Sequence, residues 1–158
     1  MKRTALFSLF ILLLTIILPA CKEDEYIDWK IKNELWNSNL VEQHKADSDF
    51  VTTASGLSYK VIHQGRFDKK PNIGSYISAS YNGKLIDGST FDTGGQNVNL
   101  GQVGSLVRGF QEAVKKMTVG SSYILYIPST LGYDTISTNT KIPPYSTLIF
   151  EVTLTNVN

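Results

Sequence analysis

The chain has 158 residues, 42% of them apolar and 18% charged, enough for one ordinary domain with appendages. A net charge of +1 offers no surface for a polyanion, so no nucleic-acid partner is expected. One Cys excludes a disulfide within the chain, and two isolated His make no metal-ligating set, so neither metal nor cofactor is expected.

In chain order, Lys2 and Arg3 form a positive start, and residues 5–18 are apolar apart from Ser8 and Thr15. That run is shorter than the roughly 20 residues a spanning helix needs. It ends in Leu18-Pro19-Ala20-Cys21, the order of a secretory signal with a small-residue cleavage site. The four residues resemble the bacterial lipobox. The resemblance implies that residues 1–20 are a signal peptide and that Cys21 is lipidated. It also implies an anchor in an envelope membrane, facing the periplasm or exposed at the surface. Losing Lys2 and Arg3 takes Lys+Arg from 15 to 13 against 14 Asp+Glu. The string Lys22-Glu23-Asp24-Glu25 reads as solvated tether and is similar to a surface-export signal of some lipoproteins.

Residues 22–49 contain no Gly and no Pro. Ile27, Ile31 and Leu35 recur every four residues, and Trp29 and Trp36 lie seven apart. This predicts an amphipathic helix. It is expected as a stalk between membrane and domain, or as a docking helix that makes a homodimer through its Trp/Ile face. Residues 21–50 are thus a lipidated tether and helix, and residues 51–158 a separate domain.

From Leu57 the pattern turns to strands. Residues 57–62 alternate. Residues 75–81 place Ile77, Ala79 and Tyr81 on one face. Asn82-Gly83 and Asp87-Gly88 read as turns, and residues 98–101 as a short strand. Phe110, Val114 and Met117 share a helical face, with Gly120 as a stop, which predicts a helix over 108–117. Residues 122–127 form another strand. In the last run Leu148, Phe150, Val152 and Leu154 point one way. The fold class is α+β: an antiparallel sheet wrapped around one short helix, preceded by the N-terminal helical stalk.

Five blocks then carry a resemblance: GLSYKVIHQG (56–65), YNGKLIDGSTFD (81–92), LVRGFQEAVKKMTVG (106–120), IPSTLGYD (127–134) and IPPYSTLIFEVTL (142–154). In this order and spacing, residues 56–157 resemble the FKBP-type peptidyl-prolyl cis-trans isomerase domain. The resemblance implies an FKBP-like fold and rotation about Xaa-Pro bonds of proline-containing polypeptide clients, without metal or cofactor. It implies an enzyme that assists folding of exported proteins, or a binding module or chaperone that kept the fold with little turnover.

By the same resemblance, Tyr81, Phe91, Asp92, Tyr133 and Phe150 are the catalytic set, and Val107, Phe110 and Ile142 bind substrate. Phe110 lies beneath the proline ring, and Phe91 and Phe150 are walls. The Tyr133 hydroxyl and the Val107 backbone N–H reach substrate carbonyls. Asp92 is the one polar group deep in the pocket, held by the Tyr81 hydroxyl. The sequence departs from the family at Phe110, where Trp is usual, and at Asp134, where Gly is usual. It also has Val98 nearest a common Phe, and one extra residue between Gly101 and Leu106. His44 and His63 are expected at the surface.

Overall fold

The computed structural model describes residues 26–137 and 141–158, so the signal peptide, Cys21 and the acidic tether lie outside the described residues. Two α-helices and six strands follow in the order α1 (Ile27–His44), β1 (Phe50–Thr52), β2 (Ser58–His63), β3 (Tyr76–Lys84), β4 (Thr90–Gln102), α2 (Arg108–Val114), β5 (Ser122–Ile127) and β6 (Leu148–Val157). The strands form one antiparallel sheet of order β1-β2-β5-β6-β3-β4.

The period-2 pattern decides which face is buried. On β6, Leu148, Phe150, Val152 and Leu154 are buried and Glu151 is exposed. On β5, Tyr123, Leu125 and Ile127 do the same. The short helix α2 covers this inner face through Phe110, Ala113 and Val114. Phe110 and Val114 each contribute about 1.5–3 kcal/mol of hydrophobic burial. Gly109 makes the approach possible, because a Cβ there would stand 2.5 Å from Ile127 Cγ2. The helix stops at Val114, three residues before the expected end, yet Met117 is still fully buried beyond it.

Four expectations are corrected. Asn82-Gly83 is not a turn but the interior of β3; Gly83 is required because a Cβ would lie 2.7 Å from the Phe91 ring. Asp87-Gly88 is the turn, with the Leu85 N–H donating to the Ser89 carbonyl at 2.9 Å and Gly88 at φ +86°. The strand expected at 98–101 belongs to a single β4 of thirteen residues. Its register against β3 shifts three times, and such bulges let an edge strand bend around a site. On β2 the register shifts between Val61 and His63, so the expected alternation ends in a bulge, with Ile62 exposed.

The fourth correction concerns α1, which is seated on the domain rather than standing off it. Trp29, Asn33, Trp36, Asn37 and Leu40 face the body. The Trp36 ring lies 6.0 Å from that of Tyr126 on β5, and Leu40 is buried. Ile27, Ile31 and Leu35, the stripe that predicted the helix, face solvent. β1 begins at Phe50, one residue ahead of the expected domain start, and its ring also packs on Tyr126.

Candidate active site

Phe150 is the residue around which the site is built. It lies mid-β6, where alternation turns it inward, and meets three other rings. Phe110 of α2 stands edge-on to it at 5.2 Å and 85°, and Phe91 of β4 at 5.4 Å and 90°. Tyr81 of β3 lies 6.2 Å away. Edge-to-face geometry is the preferred packing of such quadrupolar rings. A cavity of about 300 Å³ opens over this cluster. Phe110, 4% exposed, and Phe150 line its apolar side.

The polar groups sit at the rim. The Tyr81 hydroxyl donates to Asp92 Oδ2 at 2.9 Å. Burial, then the Asp92 carboxylate, push the Tyr81 hydroxyl up to about 12, so it remains a donor at neutral pH. Its ring packs against Gly94, where a Cβ would stand 2.1 Å away. Tyr133 lines the cavity from the segment after β5. Val107, the residue before α2, lines it too; its N–H donates to no acceptor among the described residues.

The sequence-expected residues are therefore sorted by position. Tyr81, Asp92, Val107, Phe110, Tyr133 and Phe150 converge on the cavity. Phe91 and Ile142 are buried but do not line it. Phe91 is spent as a brace between Gly83 and Phe150, and Ile142 belongs to the core behind the wall. Asp92 is at the mouth with an exposed side chain rather than deep inside, because β4 is the sheet edge there. Leu100, Ser105 and Leu106 also line the cavity and were not foreseen. The Val98-Asn99-Leu100 alternation carried the signal for Leu100. His44 and His63 lie outside the site.

Asp134 follows Tyr133 with φ +53°, the left-handed region in which glycine is at ease. Asp134 thus takes a left-handed backbone angle at the position where the family usually has Gly. A wider depression of about 900 Å³ lies over outward residues of the sheet, among them Ser80, Asn82, Ile124, Glu151 and Thr153. Tyr81 and Tyr123 also border it, but it is broad and open, whereas the rings of Tyr81, Phe110 and Phe150 converge on the smaller cavity, which is the candidate site.

Residues 68–155 match the family model of FKBP-type peptidyl-prolyl cis-trans isomerases, and the chain belongs to this family. It is 35% identical over 122 residues to a probable FKBP-type peptidyl-prolyl cis-trans isomerase, FkpA, of Neisseria meningitidis serogroup B, covering 75% of this chain and 44% of that protein. It is 32% identical over 129 residues to the outer membrane protein MIP of Legionella longbeachae, covering 80% and 54%. The crystal structure of FkpA from Escherichia coli superposes with a TM-score of 0.76 at 27% identity, over 86% of this chain and 64% of that one. The chain spans about half the length of these curated relatives.

Proposed function

We propose that the chain isomerises Xaa-Pro peptide bonds in proline-containing polypeptides, and that it does so at the cell envelope on exported proteins. The observation that carries this reading is the cavity itself, walled by Phe110 and Phe150 and rimmed by hydrogen-bond donors, with no His in its lining. An amide resists rotation by about 18–20 kcal/mol because its C–N bond is partly double. The twisted transition state has lost that resonance and is less dipolar than the planar ground state. A dry aromatic surface therefore favours it over water. The proline ring would rest on Phe110. The Val107 N–H and the Tyr133 hydroxyl would hold carbonyls while the other half of the bond turns. No proton needs to move.

The test is a protease-coupled assay on Xaa-Pro peptides. Acceleration over the uncatalysed isomerisation supports the enzyme. Binding of proline peptides without acceleration supports the second reading, a binding module or chaperone. Phe110 in place of the usual Trp favours that alternative, since Phe offers less area and no indole N–H.

The envelope location rests on residues 18–21, and a relative named as an outer membrane protein supports it. Among the described residues no helix is long and apolar enough to cross a membrane. We expect Cys21→Ser to abolish lipid labelling and processing; equal labelling of the variant would refute the anchor. The exposed Ile27, Ile31 and Leu35 support a homodimer through α1. Sedimentation should give twice the monomer mass, lowered by Leu35→Lys.

A further inference from the structure

The face of α1 that meets the domain is polar where it meets the segment just before β6. The Trp29 indole N–H donates to Ser146 Oγ at 2.9 Å, and the Ser146 hydroxyl donates to the Pro143 carbonyl at 2.7 Å. The Thr147 N–H donates to Asn33 Oδ1 at 2.8 Å, and Asn37 Nδ2 donates to Thr147 Oγ1 at 2.8 Å. Asn33 Nδ2 donates to the Trp29 carbonyl at 2.8 Å, which fixes the orientation of its amide. Asn33 is 2% exposed and Thr147 fully buried.

One residue earlier the chain is strained. Tyr145 has φ +63°, and its N–H donates to the Asp134 carbonyl at 2.6 Å. Asp134 is itself at φ +53°, with its N–H on the Ser129 carbonyl at 2.9 Å. Non-glycine residues keep such angles only where their surroundings over-determine them. On one side of Tyr145 those surroundings are the hydrogen bonds from α1, with the Lys30 ammonium 5.1 Å over the Tyr145 ring. On the other side lies Asp134, the neighbour of Tyr133.

We propose that Asn33, helped by Trp29 and Asn37, is a positioning residue for Tyr133: α1 pins Ser146 and Thr147, which holds Tyr145 against Asp134 and so fixes the backbone that aims the Tyr133 hydroxyl into the cavity. Its catalytic consequence rests on the isomerase reading; its structural content does not. The path alternates hydrogen bonds, Asn33 to Thr147 and Tyr145 to Asp134, with short backbone steps through two left-handed residues, and it makes a helix outside the pocket part of the pocket's geometry.

The experiment uses the full chain with Asn33→Ala, and with Asn37→Ala in case the first fails to fold. Alanine preserves the helix. Thr147→Val removes the hydroxyl that Asn37 reaches, and Thr147→Ser restores it. Amide exchange at Tyr145 is measured against the β6 amides, alongside kcat and KM on an Xaa-Pro peptide. Exchange at Tyr145 should rise several-fold to about tenfold, the range one hydrogen bond sets, while β6 is unchanged. The ratio kcat/KM should fall by a similar factor, mainly in kcat, in Asn33→Ala and Thr147→Val and be restored in Thr147→Ser. Unchanged exchange at Tyr145 overturns the proposal. Faster exchange with wild-type turnover overturns it as well. If wild type turns nothing over, the isomerase reading falls separately. Proline-peptide affinity then replaces kcat/KM, and weaker binding in the loosened variants supports the proposal while equal binding overturns it.

Discussion

The cavity has two unlike halves. Phe110 and Phe150 form one, braced from behind by Phe91, and all three are buried in the sheet–helix core with edge-to-face contacts. Tyr133 forms the other, on a segment held by hydrogen bonds through Asp134 and Tyr145, both at positive φ. The first half is stabilised by removing apolar area from water. The second is held by bonds that each contribute about 0.5–1.5 kcal/mol. The same pocket thus couples a stiff floor to a wall that needs support from outside. Substitutions in the floor should show as lost stability, and substitutions in the wall as lost turnover.

The largest expected effect is in the floor. Phe110→Ala should lower the unfolding free energy by about 3–5 kcal/mol, measured by denaturant titration. Unchanged stability would remove Phe110 from the core and break the comparison. Phe110→Trp should hold or raise kcat/KM, because it restores the wider surface under the proline. Next comes Gly83→Ala, which forces a Cβ against the Phe91 and Phe150 rings and should cost about 1–3 kcal/mol.

In the wall, Tyr133→Phe should slow catalysis several-fold, about 0.5–1.5 kcal/mol, with little change in stability. A stability loss equal to that of Phe110→Ala would erase the distinction between the halves. The smallest effect is at Asp134. Asp134→Gly relieves a left-handed residue but frees the unfolded chain, and should stabilise by about 0.5 kcal/mol, read as a small rise in Tm. At the rim, Tyr81 gives a pH signature. Its hydroxyl is raised from 10.0 to about 12 in the folded state, so the stability it contributes is complete below pH 10 and fades as pH rises through 12. Tyr81→Phe should flatten that alkaline decline in thermal melts.

How much of this was legible in the sequence follows the same division. The floor was readable because alternation on β6 and the helical spacing of Phe110, Val114 and Met117 report burial directly. The wall was readable only by resemblance. Nothing local marks Tyr133 as facing a cavity, and Asp134's backbone angle shows only as a glycine that is missing. Gly83 was misread as a turn because a glycine needed for ring contact looks the same as one needed for a bend. The seat of α1 was hidden for a physical reason. It binds a backbone N–H and two hydroxyls, which call for the Asn33 and Asn37 amides and the Trp29 indole rather than an apolar stripe. The periodic Ile27, Ile31 and Leu35 therefore marked the helix correctly but not the face that seats it on the domain. The depth of Asp92 depends on where the sheet ends, and strand order is not written in any single strand.

The most direct test of the central claim is the pH dependence of kcat/KM on an Xaa-Pro peptide between pH 6 and 8. The cavity lining contains no His, and the Tyr81 hydroxyl titrates far above this range. Isomerisation by a dry aromatic floor and fixed donors predicts acceleration that is nearly flat across the interval. A rate that rises or falls steeply about a midpoint near 6.5, the ordinary value for a histidine, would contradict it.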